Sequence, residues 1–109
     1  MGSNENVSIV YTPIDTFDTA ERLAELVLAS GYAVCVNIIR PVVAMYLWEG
    51  KIQKTQECLL IFKTLTSHAD SLCKAIQQHH PYKIPVILTT PMEANSDFQK
   101  HLYACLSPI

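Results

Sequence analysis

The sequence of 109 residues predicts one α+β domain, in which two helices cover one face of a four-stranded antiparallel sheet. Segments rich in β-branched residues alternate with segments of helical periodicity, in the order β-α-β-β-α-β with a further helix at the C-terminal end. A two-residue turn joins the second and third strands into a hairpin that is long for so small a domain. This order of elements is that of the ferredoxin-like, or split βαβ, fold.

The first strand and the first helix are predicted from local signals near the N-terminus. The segment VSIVYT, residues 7–12, is rich in β-branched residues, and Pro13 is expected to end the strand. The helix that follows has two candidate starts. Asp18 with Glu21 fits a capping box, and Thr16 is the alternative N-cap.

The long hairpin follows the first helix. Its first strand runs from about residue 32 to Trp48, and Pro41 interrupts it, so Pro41 is expected at a bulge or at an unpaired edge. Glu49 and Gly50 form the two-residue turn. The chain then returns as KIQKTQECLLIFKTL, residues 51–65.

The remaining elements complete the fold. Thr66 or Ser67 is expected to cap a second helix, which must end by Pro81 because a residue before proline is driven out of the helical region. Residues 86–90 are expected to form the fourth strand, beginning after Pro85. A short third helix is expected to turn three side chains inward: Phe98, Leu102 and Cys105.

The hairpin is apolar on both faces, which predicts assembly. One face of its first strand carries Val43, Met45 and Leu47, and the other carries Ala44, Tyr46 and Trp48. An antiparallel sheet that meets water is normally polar on one face, and one short helix is too small to cover so long a hairpin. We therefore expect a homo-oligomer built through the sheet, in which a charge introduced at Leu47 or Leu60 disrupts the interface.

Composition limits the possible functions. The net charge is −2 and the sequence has no basic run, so nucleic acid is not an expected partner. The longest uncharged apolar stretch, residues 26–39, is too short to span a membrane, and the N-terminus has no signal-peptide pattern. We expect a single domain over residues 1–109, with a flexible segment at residues 1–6.

The cysteines and the absence of catalytic motifs add two expectations. The four cysteines form no C-x-x-C pair and lie in apolar segments, which favours buried, reduced thiols in a cytoplasmic protein over disulfides or metal ligands. The sequence contains no nucleophile elbow, phosphate-binding loop or dinucleotide fingerprint. It therefore gives no support to an enzymatic function.

Several segments, taken together and in order, resemble the CutA family of divalent-cation tolerance proteins. They are AVCVNII, YLWEGKI, LLIFKT and HPYKIP, and the resemblance extends from Val7 to about Leu102. The most specific matches are Tyr46, Trp48, Gly50, Lys63, Thr64, His80, Pro81, Tyr82 and Pro85. The resemblance implies a ferredoxin-like homotrimer whose hairpins extend across neighbouring subunits. It also implies a similarity in shape to the PII signalling proteins, which bind ligands in clefts between subunits.

The resemblance also implies a copper site, of which only a part is present. The family's proposed ligands are a cysteine, a histidine pair and a glutamate. This sequence keeps His79 and His80 but has Tyr11 and Val86 at the other positions. Adjacent side chains at a helix end point about 100° apart, which disfavours a shared ion. We expect no tightly bound metal and at most weak copper binding, the alternative being that one histidine caps the helix or stacks on Tyr82.

A cleft between subunits is the second candidate site. Lys63 either lines a pocket for an anionic ligand, forms an interface ion pair, or is a solvated residue at a strand end. Tyr46 and Trp48 form either a cleft wall or part of the interface core. The expected cleft residues are Tyr46, Trp48, Lys63, Thr64, His80 and Tyr82.

The sequence is compatible with three functions. The first is a trimeric cytoplasmic protein of the divalent-cation tolerance type with weak copper binding. The second is a PII-like module that holds a small ligand between subunits. The third is a stable scaffold for another protein.

Overall fold

The structure is a computed structural model that describes residues 6–106 and confirms the α+β, ferredoxin-like prediction. The four strands form one antiparallel sheet in the order β2-β3-β1-β4. The elements are β1 (Val7–Ile14), α1 (Phe17–Ala29), β2 (Cys35–Trp48), β3 (Lys51–Leu65), α2 (Ala69–His79), β4 (Leu88–Met92) and α3 (Ser96–Cys105), with a 3₁₀ turn (Thr66–His68) before α2.

Two apolar clusters lie on opposite faces of the sheet. The larger one packs α1 and α2 against β1 and β3, and it contains the fully buried side chains of Val10, Leu60 and Phe62. The smaller cluster joins α3 to the other face and centres on Val7, Leu65, Leu102 and Leu106. Because α3 covers only that end of the sheet, the second face is left largely open beyond it.

β1 continues past Pro13, so the expectation that this proline ends the strand was wrong. Pro13 pairs with Leu59 of β3, whereas β4 pairs with β1 only as far as Tyr11. The missing N–H of Pro13 therefore costs no ladder hydrogen bond, because no strand lies beside it on the β4 side. His80 occupies that place, with Nε2 2.8 Å from the Pro13 carbonyl oxygen.

The caps of the two long helices differ from the first expectations. Thr16, the alternative candidate, caps α1 by accepting a hydrogen bond from the Thr19 N–H at 3.2 Å. Neither Thr66 nor Ser67 caps α2, because the chain makes a 3₁₀ turn first and His68 takes the N-cap position without a side-chain capping hydrogen bond. The helix ends at His79, as the following proline requires.

The hairpin agrees closely with the prediction. Glu49 and Gly50 both have positive φ, 52° and 77°, which is the geometry of the tight turn that matches strand twist. The register shifts by one residue between Ile39 and Val42, so the bulge falls at Pro41 as expected. β2 begins at Cys35, later than predicted. The 14.8 Å radius of gyration exceeds the ~13 Å typical of a compact domain of this length, because the hairpin projects.

β4 is displaced from the predicted strand. It runs from Leu88 to Met92 and not from residue 86, because the carbonyl of Val86 accepts a hydrogen bond from the Thr12 side chain at 2.7 Å and makes no ladder bond. Pro91 lies inside β4, which is tolerated because β4 is an edge strand.

Two further expectations need correction. Leu60 is 0% exposed and lies under α1 and α2, so it belongs to the core of the subunit and not to an interface. In α3, Leu102 is buried and Phe98 is half-buried, but Cys105 is exposed.

The predicted flexible segment at residues 1–6 lies outside the described residues except for Asn6. The Asn6 carbonyl accepts a hydrogen bond from the Thr66 N–H at 2.6 Å, so this residue is held beside the start of the 3₁₀ turn. Within residues 6–106, no helix has the length and apolarity needed to cross a membrane.

Candidate functional site

The end of the hairpin, which we call the hairpin tip (residues 43–54), exposes large apolar side chains on both faces. Leu47 is 74% exposed, and its cross-strand partner Ile52 is 72% exposed. Tyr46 and Trp48 are exposed on the opposite face. Single exposed apolar residues are ordinary, but a contiguous group of this kind marks an interaction surface.

A second apolar surface lies at the other edge of the sheet, along β4 and the segment before it. We call it the β4 edge, and its exposed members are Ile84, Val86, Leu88 and Met92. Because the strand order is β2-β3-β1-β4, the hairpin tip and the β4 edge lie on opposite sides of the molecule. The chain therefore presents two separate apolar surfaces.

The residues predicted to form a cleft between subunits do not converge within a single chain. Trp48 pairs with Lys51 at the hairpin tip, whereas Lys63 lies toward the other end of β3, roughly 40 Å away at about 3.3 Å per residue. Both side chains are on the sheet face opposite α1 and α2. Lys63 donates a hydrogen bond to the side-chain oxygen of Asn37.

Thr64 lies on the helix-covered face and is fully buried. Its hydroxyl donates a hydrogen bond to the Tyr32 carbonyl at 2.6 Å, which ties the start of the hairpin to the end of β3. Thr64 was predicted to line a cleft between subunits, and in the single chain its side chain faces the interior.

His80 is a buried structural residue. The Tyr82 N–H donates to His80 Nδ1 at 3.2 Å, so the ring proton is on Nε2, which donates to the Pro13 carbonyl at 2.8 Å. The ring also meets the Tyr82 ring edge-on, with centroids 4.6 Å apart. Both ring nitrogens are occupied, and binding a metal through His80 would require breaking one of these hydrogen bonds.

Tyr82 connects this segment to the base of the hairpin. Its hydroxyl donates a hydrogen bond to the carboxylate of Glu57, whose neighbour across the strands is Val42. Burial raises the pKa of the Tyr82 phenol, and the hydrogen bond to Glu57 and the charges of Glu57 and Asp15 raise it further. The phenol therefore remains protonated and acts as a fixed donor.

The raised pKa of Tyr82 gives a stability prediction. A tyrosine whose pKa is higher in the folded state stabilises the fold below the unfolded pKa of about 10, and this contribution is lost as the pH rises through the folded value. The Tyr82→Phe variant should be less stable than the wild type at pH 8, by about 1 kcal/mol for a lost hydrogen bond. Above about pH 10 the difference should narrow.

Denaturant unfolding at pH 8 and at higher pH measures the effect. Tyr103→Phe is a matched control because Tyr103 is exposed on α3, and it should leave stability unchanged. If the difference in unfolding free energy between the wild type and Tyr82→Phe increases above about pH 10, the protonated Tyr82 hydroxyl is not the source of the stabilisation.

His79 and His80 do not form a joint metal site in the structure. His79 is exposed at the end of α2, whereas the ring of His80 is turned inward. Among the described residues, no group of three or more His, Cys, Asp or Glu is placed to hold a metal ion. Tyr11 and Val86, where the family resemblance implies a cysteine and a glutamate, supply neither a thiolate nor a carboxylate.

The cysteines are not all buried, which corrects the prediction. All four are free, and Cys58 is buried, Cys35 and Cys73 are half-buried, and Cys105 is exposed. Burial, and then the charge of Asp70, raises the pKa of the Cys73 thiol. The H-x-x-x-C spacing of His101 and Cys105, which was not among the sequence-based predictions, places both side chains on one side of α3.

The exposure of the thiols predicts their order of reaction. Iodoacetamide should modify the exposed Cys105 first and the buried Cys58 only after unfolding. The reagent must have access to the sulfur, and it reacts with the thiolate form. Cys73 should react slowly, since its pKa is raised. Peptide mass spectrometry over time measures the order, and modification of Cys58 before Cys105 in native protein would overturn it.

Comparison with known proteins places these features in a family. The family model for the CutA1 divalent ion tolerance protein matches residues 8–105. The divalent-cation tolerance protein CutA of Yersinia pestis (strain Pestoides F) is 34% identical over 105 residues, covering 95% of this chain and 88% of the relative.

Solved structures agree. CutA1 from Ehrlichia chaffeensis superimposes with a TM-score of 0.90 at 32% identity, covering 97% of this chain and 100% of that one. The periplasmic divalent cation tolerance protein CutA from Archaeoglobus fulgidus gives a TM-score of 0.88 at 27% identity, covering 93% of this chain and 99% of that one.

Proposed function

The chain belongs to the CutA1 divalent ion tolerance family, and from this premise we propose that it acts as a homotrimer in the cellular response to divalent metal ions. The observation that carries the proposal is the pair of apolar surfaces at opposite edges of the sheet, the hairpin tip and the β4 edge. We propose a binding role and no catalytic one.

The separation of the two surfaces supports a ring. A two-fold dimer joins identical patches, whereas a contact between two different patches is head-to-tail and gives a ring when the rotation closes. In the proposed trimer, the hairpin tip of each subunit packs against the β4 edge of the next. β2 and β4 are both edge strands, so this packing also covers the backbone groups that they leave unpaired.

The energetics favour burial of these side chains. Burying one large apolar side chain contributes about 1.5–3 kcal/mol, and the hairpin tip offers several of them. A free subunit would leave the same side chains in water. The trimer also follows from the family resemblance, so two separate arguments support it.

Sedimentation equilibrium tests the assembly. At micromolar concentration the wild type should have three times the subunit mass of 12.2 kDa. A subunit-mass species at that concentration would overturn the trimer and, with it, the role of the two apolar surfaces.

We propose that metal contact in this part of the molecule is weak and involves the exposed His79. Copper(II) is the expected preference because it leads the affinity order for imidazole ligands. His80 contributes little, since both of its ring nitrogens are engaged. No stoichiometric metal should therefore remain on this segment after dialysis against a chelator.

Calorimetric titration with copper(II) tests this assignment. His79→Ala should remove most of the weak binding at this segment, and His80→Ala should mainly reduce stability. If His80→Ala abolishes copper binding while the fold is intact, the roles of the two histidines are reversed.

A small-ligand role is the second candidate, supported by the placement of Trp48 and Lys63 on one sheet face but far apart. Only a neighbouring subunit can bring the aromatic pair of one chain near the lysine of another. Native mass spectrometry of the purified trimer tests this: a copurifying small anion that Lys63→Ala removes would favour it, and an unmodified trimer mass would count against it.

We also propose a cytoplasmic location, which is supported by the four free cysteines, since oxidising compartments favour disulfides. One similar structure is of a periplasmic protein, so the periplasm is the alternative location to be tested. Cell fractionation with antibody detection should recover the protein with cytoplasmic markers, and recovery with periplasmic markers would contradict the proposal.

A further inference from the structure

The projecting part of the hairpin leaves the sheet at one level. β1 runs beside β3 only as far as the pair Ile14 and Cys58, whereas β2 and β3 stay paired up to the turn. The register shift between Ile39 and Val42 falls at the same level. We call this level the hairpin base (residues 39–42 and 55–58). Beyond it, no third strand of the described part of the chain supports the hairpin.

The hairpin base is loosely packed against the rest of the subunit. A cavity of about 300 Å³ lies here, and its lining includes Asp15 and Phe17 from the connection between β1 and α1, and Arg40, Pro41 and Gln56 from the hairpin. Interlocking side chains fix an element in place, whereas atoms that face an empty space have no partner there. The direction of the hairpin therefore depends on a few individual contacts across this gap.

Arg40 reaches across the cavity to the start of α1. Its guanidinium carbon lies 3.5 Å from the centroid of the Phe17 ring, which is a cation–π contact. Phe17 is the first residue of α1, follows the N-cap Thr16, and packs against the larger apolar cluster. Arg40 is exposed and lies within the register shift. The contact thus joins an anchored ring to the hairpin base.

A second contact holds the hairpin base from the opposite face of the sheet. Cys58 belongs to the cluster beneath the helices, so its neighbour Glu57 points to the open face, where it accepts the hydrogen bond from Tyr82. Arg40 contacts α1, which covers the other face. Together the two contacts restrain a swing of the hairpin in either direction.

A small rotation at the hairpin base gives a large displacement at the hairpin tip. From Val42 to Trp48 the strand extends about 20 Å, at about 3.4 Å per residue. A rotation of about 10° would therefore move the tip by about 3 Å, close to the length of one residue in a strand. An interface whose core is packed as densely as a protein interior cannot absorb such a shift.

We propose that Arg40 is a positioning residue, whose contact with Phe17 holds the hairpin of the free subunit in the direction that assembly requires. The inference rests on the proposed trimer. A subunit whose hairpin swings has the competent direction for only a fraction of the time, and its apparent affinity falls by that fraction. Because three subunits must be competent together, the effect on the trimer is the cube of the effect on one subunit.

Trp48 reports the motion directly, because it lies at the hairpin tip and is the only tryptophan in the sequence. Time-resolved fluorescence anisotropy is measured on full-length Leu47→Glu chains, which are expected to be single subunits. Their anisotropy should decay mainly with the tumbling of the whole subunit. Arg40→Ala in this background should increase the amplitude of a faster, nanosecond component. Arg22→Ala, which removes the chain's other arginine from an exposed position on α1, should not.

Assembly is the second readout, measured by sedimentation equilibrium over a dilution series of the full-length protein. A cation–π contact at an exposed site changes an equilibrium by about two- to fivefold, so Arg40→Ala should raise the trimer dissociation constant by about 10- to 100-fold. Phe17→Leu removes the ring and should give a similar loss, and the double variant should lose little more. Arg40→Lys keeps a cation and should restore part of the affinity, whereas Arg22→Ala should leave it unchanged.

The outcomes distinguish this inference from the proposed function. A wild type, or a Leu47→Glu protein, with an unexpected mass would overturn the proposed assembly and this inference with it. If both masses are as expected, the trimer stands, and the positioning role requires that Arg40→Ala change both the Trp48 anisotropy decay and the trimer dissociation constant. A change in only one of them, or in neither, would overturn it. An equal loss of assembly in Arg22→Ala would also do so, because the cause would then be net charge.

Discussion

Replacing Leu47 by glutamate is expected to convert the proposed trimer into folded subunits. Leu47 is 74% exposed in the subunit, so the substitution removes nothing from the subunit core. In the assembly, however, the glutamate would be buried without a partner, at a cost of several kcal/mol at each of the symmetric contacts. The effect should be large because the same substitution occurs once in every interface.

Analytical ultracentrifugation and far-ultraviolet circular dichroism together measure this result. The expected outcome is the mass of one subunit with a spectrum close to that of the wild type. Leu28→Glu is a matched control, since Leu28 is a 38% exposed leucine on α1, outside both apolar surfaces. It should remain trimeric. A Leu47→Glu protein that keeps the wild-type mass would show that the hairpin tip is not an interface.

Replacing Leu60 by alanine is expected to destabilise the subunit itself. Leu60 is 0% exposed in the larger core cluster, beneath α1 and α2. Cutting a buried leucine back to alanine typically costs about 2–5 kcal/mol, through lost burial and the cavity that remains. Against a typical total of about 5–15 kcal/mol for a domain, this is a large fraction of the stability.

Denaturant unfolding of Leu60→Ala and of Leu28→Ala, a control at a partly exposed leucine, distinguishes core from surface. The first should lower the midpoint strongly and the second slightly. Equal, small shifts for both variants would place Leu60 outside the core.

The hairpin could be predicted from the sequence because its signals are local. Strand alternation, the Glu49-Gly50 turn and the bulge at Pro41 each depend on a few neighbouring residues, and the structure confirms all three. Alternation also predicted an apolar face that carries Leu47, and the strand register of the structure puts Leu60 on the same face. Alternation alone could not show that α1 and α2 cover only the base of that face, so that Leu60 is core and Leu47 is exposed.

The sequence-based predictions of strand ends were wrong where contacts between distant segments determine the structure. Pro13 is tolerated inside β1 because β4 stops short of it, and β4 itself starts late because Thr12 takes the carbonyl of Val86. Neither fact is contained in the local sequence. The predicted start of α2 was wrong for another reason, because a 3₁₀ turn lies where a side-chain cap was expected.

The candidate site was predicted only in part. Residues 79–86, HHPYKIPV, join α2 to the fourth strand. Hydrogen bonds from His80 to the Pro13 carbonyl and from the Tyr82 hydroxyl to Glu57 hold this segment in place. The aromatic and basic residues expected in one cleft are separated within the subunit, and only assembly could unite them.

The central place of β1 in the sheet has a consequence for the order of events during synthesis. The hairpin closes on itself, on a timescale of about 1–10 μs once both strands are free. β1 is made first, yet Val7 pairs with Leu65 and Met92, so its two neighbours are among the later segments to leave the ribosome. Because synthesis proceeds at about 5–20 residues per second, this apolar strand remains unpaired for several seconds. The nascent chain should therefore be most prone to aggregation before β4 emerges, and changes in β4 should lower the soluble yield more than they lower the stability of the finished protein.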